Sequence, residues 1–270
     1  MSSLCLRGAI LAAALWSGTA AAQQQPLRVC ADPNNLPFSN AAGEGFENHI
    51  AEILAQRLQT HVEYTWWAQR RGFIRNTLKQ KSCDIVIGVP AGFAQAMTTR
   101  PYYRSHYVFV SRTADGPPPH SLDDPVLKQK LIGVPLIGDD GANAPPAHGL
   151  TRRGIVDNVR GFMVYGDYRD DAPSARIVEA VADRSIDIAI VWGPLAGYFV
   201  QHQPVPLTIT PIESGPLDAG LPYGFDISMG VRRSDTALLD RINAALPQLQ
   251  AKIDAILAEY HVPYDTQPPS

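Results

Sequence analysis

Cys30 and Cys83 are the residues with the most definite chemistry open to them in this chain. The third cysteine, Cys5, falls in a leader. Arg7 supplies a positive start, Ala9 to Trp16 is apolar, and Ala20-Ala21-Ala22 offers a small-residue cleavage site before Gln23. Ser17-Gly18-Thr19 interrupts this stretch, so it falls short of the roughly 20 apolar residues of a membrane span. Residues 1–22 are therefore expected to be a signal peptide, with no membrane span in the mature protein, and the periplasm is the expected location. Export leaves an even pair of cysteines in an oxidising compartment, which favours a disulfide. Strand placement argues the other way: Cys30 is expected near the end of one strand and Cys83 at the start of its neighbour, and a bridge needs Cα atoms within about 7 Å. Two buried free thiols are the alternative.

Other reactive groups form no recognisable constellation. The seven histidines are scattered, with no H-E-x-x-H, and the chain contains no G-x-S-x-G, P-loop or G-x-G-x-x-G. His106 stands near an expected hinge, where a packed or solvated ring is its ordinary reading. An enzyme is not expected, and neither is a cofactor. Asp139-Asp140-Gly141-Ala142-Asn143 and Asp167, Asp170 and Asp171 could supply oxygens to a hard cation. Their spacing matches no EF-hand loop, and helix capping accounts for Asp139 and Asp140 more simply. No metal site is expected.

The elements that must position any site follow two similar segments. Cys83 to Pro90 and Ile186 to Pro194 each place an Asp and an apolar run after an amphipathic helix pattern, and each ends at a Gly near a Pro. Both read as parallel strands buried on two faces. Before the first lie a strand at 27–31, a helix at 46–59, a strand at 62–66 and a helix at 70–79, an order that crossover connections require. In the helix at 46–59, Phe46, Ile50, Ile53, Leu54 and Leu58 carry the apolar stripe, with Glu47, Asn48, Glu52 and Arg57 as spacers. A strand at 107–111 and the punctuation Gly116-Pro117-Pro118-Pro119 lead to Ser121, an expected N-cap, and to Leu131 to Ile137. Helices are expected near 144–153 and at 174–184, the latter capped by Ser174, and strands at 159–165, 186–192 and 204–211. A last strand at 225–232 precedes a helix at 235–258, kinked at Pro247. The expected division is lobe 1 at 27–109 and 225–264, with lobe 2 inserted at 110–224. Strands near 107–112 and 222–229 are the expected hinge.

Composition bounds the function. Of the 270 residues, 45% are hydrophobic and 18% charged, as in a soluble globular protein with room for two lobes. A net charge of −3 leaves no basic excess to neutralise phosphates, which argues against a nucleic-acid partner.

The order of parts resembles a periplasmic solute-binding protein of the amino-acid type. The order runs Asp32-Pro33, Pro37-Phe38, Gly45-Phe46-Glu47 opening a helix, Cys83-Asp84 opening a central strand, Pro101-Tyr102-Tyr103, and a return strand from Gly224 to Val231. The resemblance covers 27–263. It implies an α/β fold of two periplasmic-binding-protein-like (type II) lobes, each a mostly parallel sheet flanked by helices, joined by two hinge strands. A narrower resemblance rests on longer segments: Val29 to Ser39, Tyr64-Thr65-Trp66-Trp67, Gln69 to Phe73, Gly138 to Asn143, Gly154 to Gly161 and Trp192 to Tyr198. These are similar to the J proteins, accessory proteins encoded beside PQQ-dependent methanol and alcohol dehydrogenases. The branch implies a non-enzymatic factor in methanol oxidation by methylotrophs, with such a dehydrogenase as its partner. Two other roles stay open: a transport receptor for a small apolar or aromatic solute, and a calcium or lanthanide delivery factor.

Departures from the amino-acid binders sharpen the expected site. Those binders pair the ligand's carboxylate with an Arg after the central strand, where this chain reads Ala91-Gly92-Phe93-Ala94-Gln95-Ala96-Met97. They pair the ammonium with an Asp after the second lobe's central strand, where it reads Trp192-Gly193. A zwitterion would lose its hydration for little return. The cleft is expected to draw instead on Phe38, Trp66 or Trp67, Gly88, Pro90, Phe93, Trp192, Gly193, Pro194 and Tyr198, a set suited to a protein segment. Phe38 and one of the two tryptophans could equally be core. Asp32 and Asn35 are candidates whose alternative is turn chemistry beside proline. Arg70 could meet an acidic partner or be surface, and Asp139 and Asp140 complete the expected lining.

Overall fold

A computed structural model of the chain describes residues 25–136, 144–166, 168–169 and 171–265. The expected signal peptide, Asp139, Asp140, Asp167 and Asp170 lie outside the described residues. The strands are β1 (Leu27–Ala31), β2 (Asn34–Asn35), β3 (Ser39–Asn40), β4 (Val62–Trp66), β5 (Ile85–Pro90), β6 (Met97–Thr98), β7 (Tyr103–Arg112), β8 (Ile132–Leu136), β9 (Val159–Met163), β10 (Ile188–Trp192), β11 (Leu207–Pro211) and β12 (Gly224–Val231). The helices are α1 (Phe46–Arg57), α2 (Phe73–Asn76), α3 (Pro145–Arg152), α4 (Arg176–Ala182), α5 (Gly193–Val200) and α6 (Thr236–Glu259).

Strand pairing makes the two lobes. In the first, β4, β1 and β5 run parallel, and β12 returns antiparallel against β5. In the second, β9, β8 and β10 run parallel, and β7 lies antiparallel between β10 and β11. The lobes meet where β7 and β12 pair with each other, from Tyr103 opposite Ile227 to His106 opposite Gly224. From Tyr107 onward β7 pairs only with second-lobe strands among the described residues. The crossover thus falls a few residues ahead of the expected 107–112.

Alternation along each strand builds the core. Val108 and Val110 of β7 join Val191, Ile177 and Phe199 on one face of the second sheet, while Phe109 joins Ile132, Ile188 and Ile190 on the other. In the first lobe Ile85 and Ile87 pack under α1 and α6, through Phe46, Ile50, Leu54, Ile253 and Leu257. Val86 and Val89 point to the opposite face, with Phe73, Ile74 and Leu78. Phe46 is fully buried among the rings of Phe38, Tyr103 and Tyr260. Truncating it to Ala would cost about 3–5 kcal/mol.

Several local expectations change. The helix at 70–79 shrinks to the single turn of α2 and a 3-10 turn at Leu78–Gln80, because Gly72 turns the chain with φ 86° just before α2. Gly193 and Pro194 do not merely end a strand: they open α5, since proline fits the first turn of a helix. Ser174 caps no helix; it sits in a 3-10 turn and donates to the Leu36 carbonyl of the other lobe. Asp124, rather than Ser121, caps the turn at Pro125–Lys128. α6 carries Pro247 within one helix, as the reading of 235–258 expects.

The cysteines are bridged. Cys30 and Cys83 form a disulfide with Cα atoms 5.4 Å apart. The strand-offset objection fails because β5 begins at Ile85, leaving Cys83 on the approach to the strand, free to reach β1. Next to it, Asp84 receives Arg28 and Arg232. Burial pushes the Asp84 carboxyl up, but hydrogen bonds from both guanidinium groups outweigh it and hold the group below the usual carboxylate range.

Candidate functional site

The carboxyl ends of the parallel strands face one another across the gap between the lobes, where open α/β sheets place their ligands. A cavity of about 240 Å³ occupies that gap. From the first lobe, Gly88, Val89 and Pro90 come from the end of β5, Asn35 from β2, Phe38 from the turn between β2 and β3, and Gln69 from the loop after β4. Pro135, Val164 and Trp192 answer from the ends of β8, β9 and β10. Tyr107 and Phe225, on the hinge strands, close the back.

Aromatic rings dominate the walls. Trp192, Tyr107 and Phe225 form an edge-to-face triad, with centroids 5.3 Å apart for Tyr107 and Trp192 and 5.9 Å for Trp192 and Phe225. One ring comes from each hinge strand and one from the second lobe, so the triad spans the junction. Phe38, Tyr103 and Tyr165 add further rings. Among the described residues, no Lys, Arg or His lines the cavity.

Among the described residues, the one carboxyl on its wall is Glu47, in the first turn of α1. The residue is only 9% exposed, and burial pushes its carboxyl from the ordinary 4.5 up to about 8. The backbone explains how it gets there. Phe46 and Glu47 donate their N–H groups to Pro37 and Phe38, and Asn48 accepts from the Gly45 N–H, so α1 starts tight against the loop after β1. Gly88 then leaves room: a Cβ there would stand 2.0 Å from Glu47 Oε1.

Asn35, Phe38, Gly88, Pro90 and Trp192 are the expected residues found on the cavity wall. Asp32 is fully buried and serves the turn: its carboxylate accepts from the Asn34 and Gln69 backbone N–H groups, at 2.9 and 2.7 Å. Trp66 stacks on Tyr64 along β4, centroids 4.4 Å apart, and Trp67 is 44% exposed outside the cavity. Arg70 is exposed beside Gly166, and Phe93 packs on the cluster around the disulfide. Gly193 lets α5 approach β7, because a Cβ would stand 2.7 Å from the His106 carbonyl oxygen. Pro194 is buried in the first turn of α5. Tyr198 stacks on Tyr260, centroids 5.6 Å apart, joining α5 to α6.

Tyr107, Tyr165, Phe225 and Glu47 were not expected at the site. For Glu47 a signal exists in the helix pattern: it stands three residues before Ile50 and seven before Leu54, on the buried stripe rather than between its members. Among the described residues, no group of three or more His, Cys, Asp or Glu could hold a metal ion.

The model of the bacterial extracellular solute-binding proteins, family 3, matches residues 27–263. The chain belongs to that family. Within it, the chain is 32% identical over 243 residues to Protein MoxJ of Methylorubrum extorquens, covering 88% of this chain and 81% of the relative. It superposes on the crystal structure of the periplasmic binding protein XoxJ from Methylobacterium extorquens with a TM-score of 0.72 and 35% identity, covering 89% of this chain and all of that one. MxaJ from Methlophaga aminisulfidivorans gives 0.76 at 28% identity, over 88% of this chain and 100% of that structure. An ancestral arginine-binding protein of the fold superposes at 0.61 with 22% identity, which speaks to architecture alone. The family's two-lobe α/β design is therefore this chain's own.

Proposed function

We propose that this solute-binding-family protein is a non-enzymatic periplasmic accessory factor whose inter-lobe cleft docks a protein segment of a PQQ-dependent methanol or alcohol dehydrogenase. The observation that carries the reading is the cavity wall, with aromatic rings from both lobes and the hinge and no basic residue among those described. A polar nutrient finds too few partners there, and an amino-acid carboxylate finds no guanidinium. Aromatic side chains anchor protein segments at low entropy cost. The likeness to MoxJ, XoxJ and MxaJ, over most of the chain, supports assigning it to that accessory branch. Periplasmic residence is supported by the family and by the likeness to XoxJ, a periplasmic binding protein. No described helix is long and apolar enough to cross a membrane.

Affinity capture from the native periplasm tests the reading. Co-purification of a large dehydrogenase subunit supports it. Capture of a membrane permease, with a small solute retained in the cleft, replaces it with a transport receptor.

A further inference from the structure

The cleft contains an imbalance that the docking of an apolar segment leaves unexplained. Glu47 is more than nine-tenths buried, faces the cavity, and has no hydrogen-bond or ion-pair partner for its carboxyl among the described residues. Asn35, on the same wall, leaves its Oδ1 without a donor while its Nδ2 serves Gln69. A buried carboxyl is costly unless paired, and one facing a chamber can be paired by whatever enters. The room for it is built in, since Gly88 withholds a side chain from the very space the carboxyl uses.

We propose that the cleft receives an arginine side chain of the docked segment, with Glu47 as its counter-ion and the surrounding rings as its stacking surface. This rests on the docked-segment reading and names the chemistry of that segment. Guanidinium suits the site better than ammonium for three reasons. It is planar and stacks on rings, it is more weakly hydrated, and its several N–H groups can serve Glu47 and Asn35 together. Phe38, Tyr103, Tyr107, Trp192 and Phe225 supply the rings. A positive charge within hydrogen-bonding reach would draw the Glu47 carboxyl back to its ionised form, so binding at neutral pH expels the proton that burial keeps there.

Among the described residues, Tyr107 and Tyr165 share the cavity wall with Glu47, and burial pushes both hydroxyls upward. Tyr64, Tyr102 and Tyr103 sense its charge, and burial pushes each hydroxyl upward, away from neutrality. Tyr260, just past the end of α6, is likewise raised, to about 12, by burial. His49, two residues along α1, faces the Tyr260 ring. The variant Glu47→Gln leaves all of these in place.

The test uses the mature protein and three capped pentapeptides, each with four glycines and a central Arg, citrulline or norleucine, with free L-arginine as a fourth probe. Titration calorimetry at pH 7 in buffers of different ionisation enthalpy reads affinity and proton release together. The proposal expects the Arg peptide to bind at least tenfold more tightly than the neutral citrulline peptide. It also expects release of close to one proton per complex. Both the preference and the release vanish in Glu47→Gln. Equal binding of Arg and citrulline, a preference that survives Glu47→Gln, or binding without proton release overturns it. Tighter binding of norleucine overturns it too, while leaving an apolar docked segment standing. Tighter binding of free L-arginine overturns it in favour of a solute receptor. If no peptide binds, Glu47 is only a buried carboxyl and the proposal falls, whereas docking itself is judged by dehydrogenase capture. The proton-release measurement needs only the wild-type protein, so misfolding of the variant would not spare the proposal.

Discussion

The Glu47 carboxyl and Gly88 share one volume: a side chain on Gly88 would put its Cβ 2.0 Å from Glu47 Oε1. The two positions come from α1 and the end of β5, so the contact ties a helix start to the strand that floors the cleft. Gly88→Ala should displace the carboxyl and destabilise the protein by about 1–3 kcal/mol, the usual cost of overpacking. In a Glu47→Ala background the same change should cost much less. Urea unfolding of the four members of this double-mutant cycle checks it, and a coupling energy near zero would mean the two positions do not compete.

Glu47 also gives stability a pH dependence of definite sign. Its folded value, about 8, lies above its ordinary 4.5, so between those limits the folded protein keeps a proton that the unfolded chain has lost. The stabilising contribution is full below about pH 4.5 and is lost as pH rises toward 8, by at most about 1.4 kcal/mol per pH unit. Subtracting the pH profile of Glu47→Gln from that of the wild type should isolate this slope. A flat difference curve from denaturant midpoints would place the carboxyl in water.

The disulfide predicts a different response. Protein recovered from the periplasm and denatured without reductant should show no titratable thiol from Cys30 or Cys83, which are bridged with a sequence separation of 53. Cys83→Ser should lower unfolding free energy by about 2–5 kcal/mol. Reductant should weaken the wild type and leave the variant unchanged.

Much of this architecture is legible in the residues alone. The matching segments before Pro90 and Pro194 locate β5 and β10, and hence the two strand ends that face across the cleft. Residues 62–66 locate β4 but do not say which of its rings reach the cavity: Trp66 is held in a stack with Tyr64 along the strand, and Trp67 is outside. Tyr107 and Phe225 become wall residues only because β7 and β12 cross between lobes just there, a pairing between positions over a hundred residues apart. Glu47 is hidden for another reason. A carboxyl beside the apolar residues of a helix reads as a spacer between them until Gly88, far along the chain, shows the space reserved for it.

Common amino acids should leave thermal stability unchanged, because no basic residue among those described lines the cavity to pair a carboxylate. The assay is sensitive, since ligand at 100 times its dissociation constant would add about 2.7 kcal/mol. A saturable upward shift with any standard amino acid would contradict this.

Docking in the cleft is tested most directly at Trp192, whose ring bridges Tyr107 and Phe225. The measurement is the affinity of purified PQQ-dependent dehydrogenase for immobilised wild-type protein and for Trp192→Ala, by surface plasmon resonance, with circular dichroism confirming that the variant is folded. The account predicts a loss of about 2 kcal/mol or more, roughly thirtyfold in dissociation constant. Unchanged affinity in a folded Trp192→Ala, Phe225→Ala double variant would contradict it and move the docking surface to an outer face of one lobe.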